Sequence, residues 1–256
     1  MNEPIWEGVY ADFTEAPQDG PGYDSERWRS AILAKLAAAR AAAAQHTTTI
    51  PAEVCYQDSM LPVVAALVLA ARGRVEVLDF GGALGADYYP VVRSLPVNAD
   101  ISFHIVENNA VCALGREAFS DDPKVHFHER LPPPSEVTCD IIHLGSSLHY
   151  VADWQALLQG FCNYSPSYLL LSDLPAGEIP TYASSQRYYE SRMPVWFFNA
   201  KEVIQCVTEL GFSLQLKARY LSTILGVAQP YPQDNFEEEY RLGYSCIMLF
   251  SNGGEA

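Results

Sequence analysis

Apolar positions in this chain come in short blocks separated by polar, Gly- and Pro-rich breaks. An Ala-rich run over residues 25–45, which Ser25 can cap, predicts a long helix. A second helix is predicted over residues 61–72, with Pro62 tolerated in its first turn and Gly73 ending it. From Arg74 on, the blocks shorten. Strands are predicted at residues 75–80, 101–106, 124–128, 139–144, 168–172, 212–221 and 244–250. Helices are predicted between them at 86–95, 109–119, 153–164 behind Asp153, and 200–210 between Asn199 and Gly211. Pro90 inside the first of these conflicts with the helical reading. Residues 1–25 show no helical period and read as an irregular arm whose Trp6, Tyr10, Phe13 and Tyr23 must pack on something.

Strands spaced by helices of this length imply βαβ units and a mostly parallel sheet. The run Tyr168-Leu169-Leu170-Leu171 suits a strand buried on both faces. The last two strands are long, and the segment between them is Pro-rich and acidic, so the sheet is expected to end antiparallel. The expected division is an arm and helical cap at 1–72 and an α/β domain at 73–256.

Charge narrows the partners. Lys and Arg number 16 against 31 Asp and Glu, a formal charge of −15, which disfavours nucleic acid and anionic membrane surfaces. Seven of the acids lie within residues 1–26, where no Lys or Arg occurs. The six cysteines have no CxxC spacing and read as reduced, buried thiols. No signal-peptide pattern is present and the longest apolar run is too short to span a bilayer, so a cytoplasmic location is expected.

The most informative segment is Val77-Leu78-Asp79-Phe80-Gly81-Gly82-Ala83-Leu84-Gly85: a strand, a glycine-rich turn, then a helix. Such a turn lets backbone approach a ligand closely. Glu107, followed by Asn108, ends the next strand, where a carboxylate can accept hydrogen bonds from two ribose hydroxyls. The turn opens with an acid, which would repel a pyrophosphate but can hold an ammonium.

This pattern resembles motif I of the class I S-adenosylmethionine (SAM) methyltransferases, with Ala83 standing where the middle glycine is usual. The resemblance implies a Rossmann-like fold with a seven-stranded, mostly parallel sheet, an antiparallel last strand and an N-terminal helical cap. It implies SAM as cofactor, held by Asp79, Gly81, Gly82, Ala83, Gly85, Glu107 and Asn108. Glu129, Arg130 and Leu131 follow the third strand, where such enzymes grip adenine. Gly145 and Ser146 form the loop after the fourth strand, and Tyr23 and Tyr56 are expected to fold over the cofactor. Three further segments resemble a narrower family of methyltransferases, named from sequence, found among bacterial surface-polysaccharide and related biosynthetic genes. They are Trp6-x-Gly8-x-Tyr10 with Gly22-Tyr23-Asp24, Tyr56-Gln57-Asp58-Ser59, and Pro194-Val195-Trp196-Phe197-Phe198-Asn199.

Methyl transfer to a hydroxyl needs alignment and removal of a proton. His149 is the candidate base, and Asp173, after the fifth strand, can orient it. Asp58, Tyr150, Arg192, Trp196 and Phe197 are the candidate contacts to a small-molecule acceptor, and Arg187 is a further candidate for an acidic one. His143 reads as a core histidine satisfied by a neighbour. No metal site is expected: HExxH is absent. The reading is O-methylation of a small hydroxylated acceptor, a glycan or secondary metabolite. N-methylation, an NAD(P)-dependent oxidoreductase and a non-catalytic partner-binding protein are the alternatives.

Overall fold

The computed structural model describes residues 4–44, 60–224 and 226–253. In chain order the elements are β1 (Trp6–Tyr10), α1 (Glu26–Ala44), α2 (Leu61–Arg72), β2 (Arg74–Phe80), α3 (Tyr88–Ser94), β3 (Asp100–Val106), α4 (Asn109–Ala118), β4 (Val125–His128) and β5 (Ile141–Gly145). There follow α5 (Trp154–Phe161), β6 (Tyr168–Leu174), β7 (Ala176–Gly177), β8 (Tyr182–Tyr188), β9 (Ser191–Asn199), α6 (Ala200–Glu209), β10 (Phe212–Tyr220), β11 (Thr223–Ile224), β12 (Val227–Ala228) and β13 (Ser245–Asn252). No helix of the described residues is long and apolar enough to cross a membrane.

The central sheet has seven strands in the order β10-β13-β6-β5-β2-β3-β4. β2 runs parallel to both β3 and β5, while β10 and β13 pair antiparallel, as expected for the end of the sheet. The interior strands are buried on both faces: Leu169, Leu170 and Leu171 are all but inaccessible. Local signals act as read. Asp153 Oδ1 accepts from Ala156 N at 3.0 Å, Asn199 Oδ1 accepts from Lys201 N at 2.9 Å, and Gly73 closes α2 at φ +75°. Pro90 is the third residue of α3, in the first turn, where a missing N–H leaves no intrahelical bond unmade. Ser25 departs from expectation: its Oγ is buried without a hydrogen-bond partner among the described residues, and its N–H closes the preceding turn onto Gly22 O.

The chain divides into two compact units. One comprises Glu26–Gly145 and Asn163–Leu170; the other comprises Met1–Ser25, Ser146–Cys162 and Leu171–Ala256.

The second unit contains what the sequence pattern did not announce. Residues 1–25 are not an irregular arm throughout, because β1 pairs antiparallel with β8 and begins a four-stranded sheet, β1-β8-β9-β7. Its alternation is masked by a register shift and by Gly8 at φ +80°. Residues 182–199, read as no element, form the hairpin β8–β9. The arm is tied down along its length: Arg187 N donates to Ile5 O at 2.7 Å, Ser185 Oγ to Pro17 O at 2.8 Å, and Gly22 N to Ser191 Oγ at 2.8 Å. Trp6 is buried against Phe197 and Tyr231, with ring centroids 5.7 and 4.9 Å away.

Candidate functional site

The first unit carries the glycine turn. Gly81 and Gly85 both have φ of +71°. Gly82 is required for another reason: a Cβ there would sit 2.2 Å from Asp79 Oδ2. Ala83 also lies in the left-handed region, at φ +49°, a conformation that glycine adopts without the strain an L side chain meets. The turn is stitched to the end of β3. Gly81 N donates to Val106 O at 2.9 Å, and Ala83 N donates to Glu107 Oε1 at 3.1 Å. The other Glu107 oxygen accepts from Asn108 N at 3.0 Å, and Asn108 Oδ1 caps α4 through Val111 N at 3.0 Å. Burial raises the Glu107 pKa, and the two backbone N–H groups oppose that rise.

Beside this seam lies a cleft of about 260 Å³. Phe80, Gly81, Val106, Glu107 and Asn108 line one side of it, and Glu129, Arg130 and Leu131 complete the lining. Every residue expected at the ribose and adenine end is therefore gathered. Glu129 also pairs with Arg116 at 3.1 Å.

Behind the turn, Asp79 Oδ1 and His143 Nδ1 lie 2.8 Å apart with both side chains buried. His143 is thus a core histidine satisfied by a neighbour, as expected. Gly145 leaves it room, since a Cβ there would lie 2.8 Å from His143 Cε1. Asp79 Oδ2 is buried without a hydrogen-bond partner among the described residues. Asp79, Asp87 and His143 bring ligating atoms within 4.8 Å of one another, and the Lys35 ammonium bears on the same pair. This group can hold a cation, whether a metal or an ammonium. Asp87 and Lys35 were missed in the sequence; neither carries a motif, and each joins the group only through the packing of α1 and the turn.

The second unit carries the acceptor candidates. Ser146, at φ +57°, donates its N–H to Ser172 O at 2.9 Å. His149 lies in the 3₁₀ turn Leu148–Tyr150, buried, with Nδ1 lacking a hydrogen-bond partner among the described residues. Burial lowers its pKa to about 4, against a smaller opposing pull from Asp173. Asp173 has φ +49°, and its Oδ1 accepts from Ser222 Oγ at 2.5 Å and Ser245 Oγ at 2.7 Å. Ser222 Oγ lies 3.2 Å from the buried Tyr231 hydroxyl. Tyr150 donates to Gln186 Oε1 at 2.7 Å, and its ring meets Tyr23 edge-on at 5.5 Å. Gln186, Ser222 and Ser245 escaped the sequence reading, because they sit on strands or in a loop that carried no recognised motif.

Other candidates sit elsewhere. Phe197 is not on a pocket wall: it is fully buried in the sheet core, stacked on Tyr182 at 5.1 Å. Trp196 is bound to Ala152 O through Nε1 at 3.2 Å and leans on Phe13. Arg192 pairs with Asp19 at 3.4 Å and Arg187 with Glu7 at 3.2 Å, so arm carboxylates meet the two guanidiniums expected for an acidic acceptor. Tyr56 and Asp58 lie outside the described residues.

No family model matches the chain, and no curated protein matches it. Solved structures do. YcgJ from Bacillus subtilis superposes with a TM-score of 0.51 at 12% identity, covering 77% of this chain and 99% of that one. A proposed S-adenosylmethionine dependent methyltransferase from Listeria monocytogenes gives 0.50 at 11%, covering 70% and 91%. The 1,6-didemethyltoxoflavin-N1-methyltransferase from Burkholderia thailandensis, solved with its acceptor and S-adenosylhomocysteine, gives 0.49 at 15%, covering 93% and 92%. The fold is that of the Bacillus and Listeria structures, the class I methyltransferase fold.

Proposed function

We propose that this protein is a SAM-dependent methyltransferase acting on a small hydroxylated acceptor. The observation that carries the reading is the seam between Ala83 and Glu107, with the cleft beside it. A dinucleotide pyrophosphate is a poor match to a turn whose first residue is a buried carboxyl. An adenosine with free ribose hydroxyls and an ammonium is a good one. Glu107 offers its carboxylate to the ribose, and Glu129, Arg130 and Leu131 flank the base. The unpaired Asp79 Oδ2, at a spot that only a glycine at position 82 leaves open, suits the amino-acid ammonium. When bound, SAM supplies a methyl group on a sulfonium centre.

The residues proposed to serve the acceptor belong to the other unit. His149 is held neutral by burial, and its Nδ1 has no hydrogen-bond partner among the described residues; in the tautomer protonated at Nε2 this nitrogen requires a donor. An acceptor hydroxyl is such a donor, which makes His149 the base that takes its proton. Asp173 stabilises the imidazolium so formed. Tyr23 and Tyr150 offer aromatic surface, and Gln186 a polar contact.

Titration calorimetry with SAM and S-adenosylhomocysteine tests the cofactor. Binding of both in the micromolar range, with none of NADH, is the expected result. NADH binding without SAM binding would replace this reading by an oxidoreductase.

A further inference from the structure

Among the described residues, three histidines serve neither the proposed transfer nor the pairing with Asp79. β3 and β4 run parallel at the edge of the sheet, with His104 paired to His126 and Val106 to His128. Positions 126 and 128 are two apart on a strand, so both point to one face, the face that also carries His104. The His104 ring stacks on His126 at 4.8 Å, with 22° between planes, and meets His128 at 5.2 Å. His104 Nδ1 and His128 Nε2 are 3.0 Å apart, and His104 Nε2 is 3.1 Å from Ser102 Oγ. His104 is buried and the other two are half-buried. Desolvating polar rings where valine or isoleucine would pack is costly without a use for them.

We propose that His104, His126 and His128 form a binding site for a late first-row divalent cation, with zinc as the test case. Imidazole nitrogen is the preferred ligand of such ions. Ser102 can supply what a liganding histidine usually has: in the tautomer where it accepts the Nε2–H of His104, Nδ1 is the bare, coordinating nitrogen. Two imidazole nitrogens on one tetrahedral zinc stand roughly 3.3 Å apart, so the 3.0 Å gap between His104 and His128 opens only slightly. Both rings turn toward the ion, and the shared proton moves to Nδ1 of His128 by a change of tautomer. His126 rotates from its stacked position to become the third ligand. The site adjoins the cofactor cleft, since His128 O accepts from Glu107 N at 2.9 Å. The inference does not depend on the methyl-donor reading.

The test is zinc titration of the chelator-treated full chain against a chromophoric zinc indicator. One equivalent bound at low micromolar Kd is expected, with affinity at least tenfold weaker in H126Q and in H128Q. D87N, in the acidic group behind the glycine turn, should bind zinc as the unaltered chain does. No binding tighter than about 100 µM would overturn the site. So would full binding by both glutamine variants, or its loss in D87N. Histidine ring ¹⁵N shifts in the unaltered chain identify the ligated rings without any substitution: shifts at 104, 126 and 128 support the site, and shifts confined to other histidines overturn it.

Discussion

Asp79 and His143 stand in register on neighbouring parallel strands, and their side chains meet at 2.8 Å out of reach of solvent. Burial alone would pull the histidine pKa down; the carboxylates of Asp79 and Asp87 more than offset that and raise it. Removing one partner strands the other. His143→Ala should cost about 3–5 kcal/mol in urea unfolding, and His143→Asn, which can still donate to Asp79, clearly less. The sign with pH follows from the raised histidine value. The stabilisation is complete below the ordinary histidine pKa of 6.5 and is lost as pH rises through the folded value. Unfolding free energies of the native chain and H143N, measured from pH 6 upward, should converge. A constant gap between them would refute the pairing as the source.

Ala83 occupies a left-handed backbone position at φ +49°. An L-residue there costs about 1–2 kcal/mol relative to glycine, partly offset by the greater freedom of an unfolded glycine. Ala83→Gly should therefore stabilise the chain by about 0.5–1 kcal/mol and raise the thermal midpoint, while the hydrogen bond from position 83 to Glu107 stays in place. A lowered midpoint would mean that the alanine methyl contributes packing.

Glu107 accepts from two backbone N–H groups and, on the proposed reading, from the ribose. Hydrogen bonds to a charged group contribute about 1.5–3 kcal/mol, so Glu107→Gln should weaken SAM by roughly 10- to 100-fold. Burial raises the pKa of this carboxyl, so it protonates at a higher pH than an exposed glutamate does. A protonated carboxyl loses an acceptor, and SAM affinity should fall on acidification before an ordinary glutamate would titrate. Calorimetry across pH 4–7 on native and E107Q chains checks both, with E107Q flat.

On the proposed reading, the acceptor chemistry turns on His149. His149→Ala should lower turnover about 10²-fold or more and leave SAM affinity intact. Asp173→Asn should lower turnover without changing the affinity for SAM, and shift the acid limb of the rate profile. Equal rates for native and H149A enzyme would retire the base.

The arm bears on the charge balance. Glu7 and Asp19 of the acidic N-terminal stretch are spent on Arg187 and Arg192 of the β8–β9 hairpin. Of the two residues that looked available for an acidic acceptor, Arg187 thereby pairs with the chain's first strand and Arg192 with the segment after it.

What the linear sequence determined was local. A strand running into Asp79, a turn that needs glycine, and an acid closing the next strand all fall between Arg74 and Glu107, and the backbone itself brings them together. The helix stop at Gly73 and the helix starts at Asp153 and Asn199 were legible for the same reason. What only the tertiary structure decided depends on chain segments far apart in sequence. β1 lies on β8 across some 180 residues, and no alternation in residues 1–25 announces it, because Gly8 and a register shift break the period. Phe197 reads as a contact to the acceptor until that sheet buries it. His104, His126 and His128 are ordinary scattered histidines until parallel register sets them on one face. In each case the deciding quantity is which neighbour covers a side chain, and strand order and register set that.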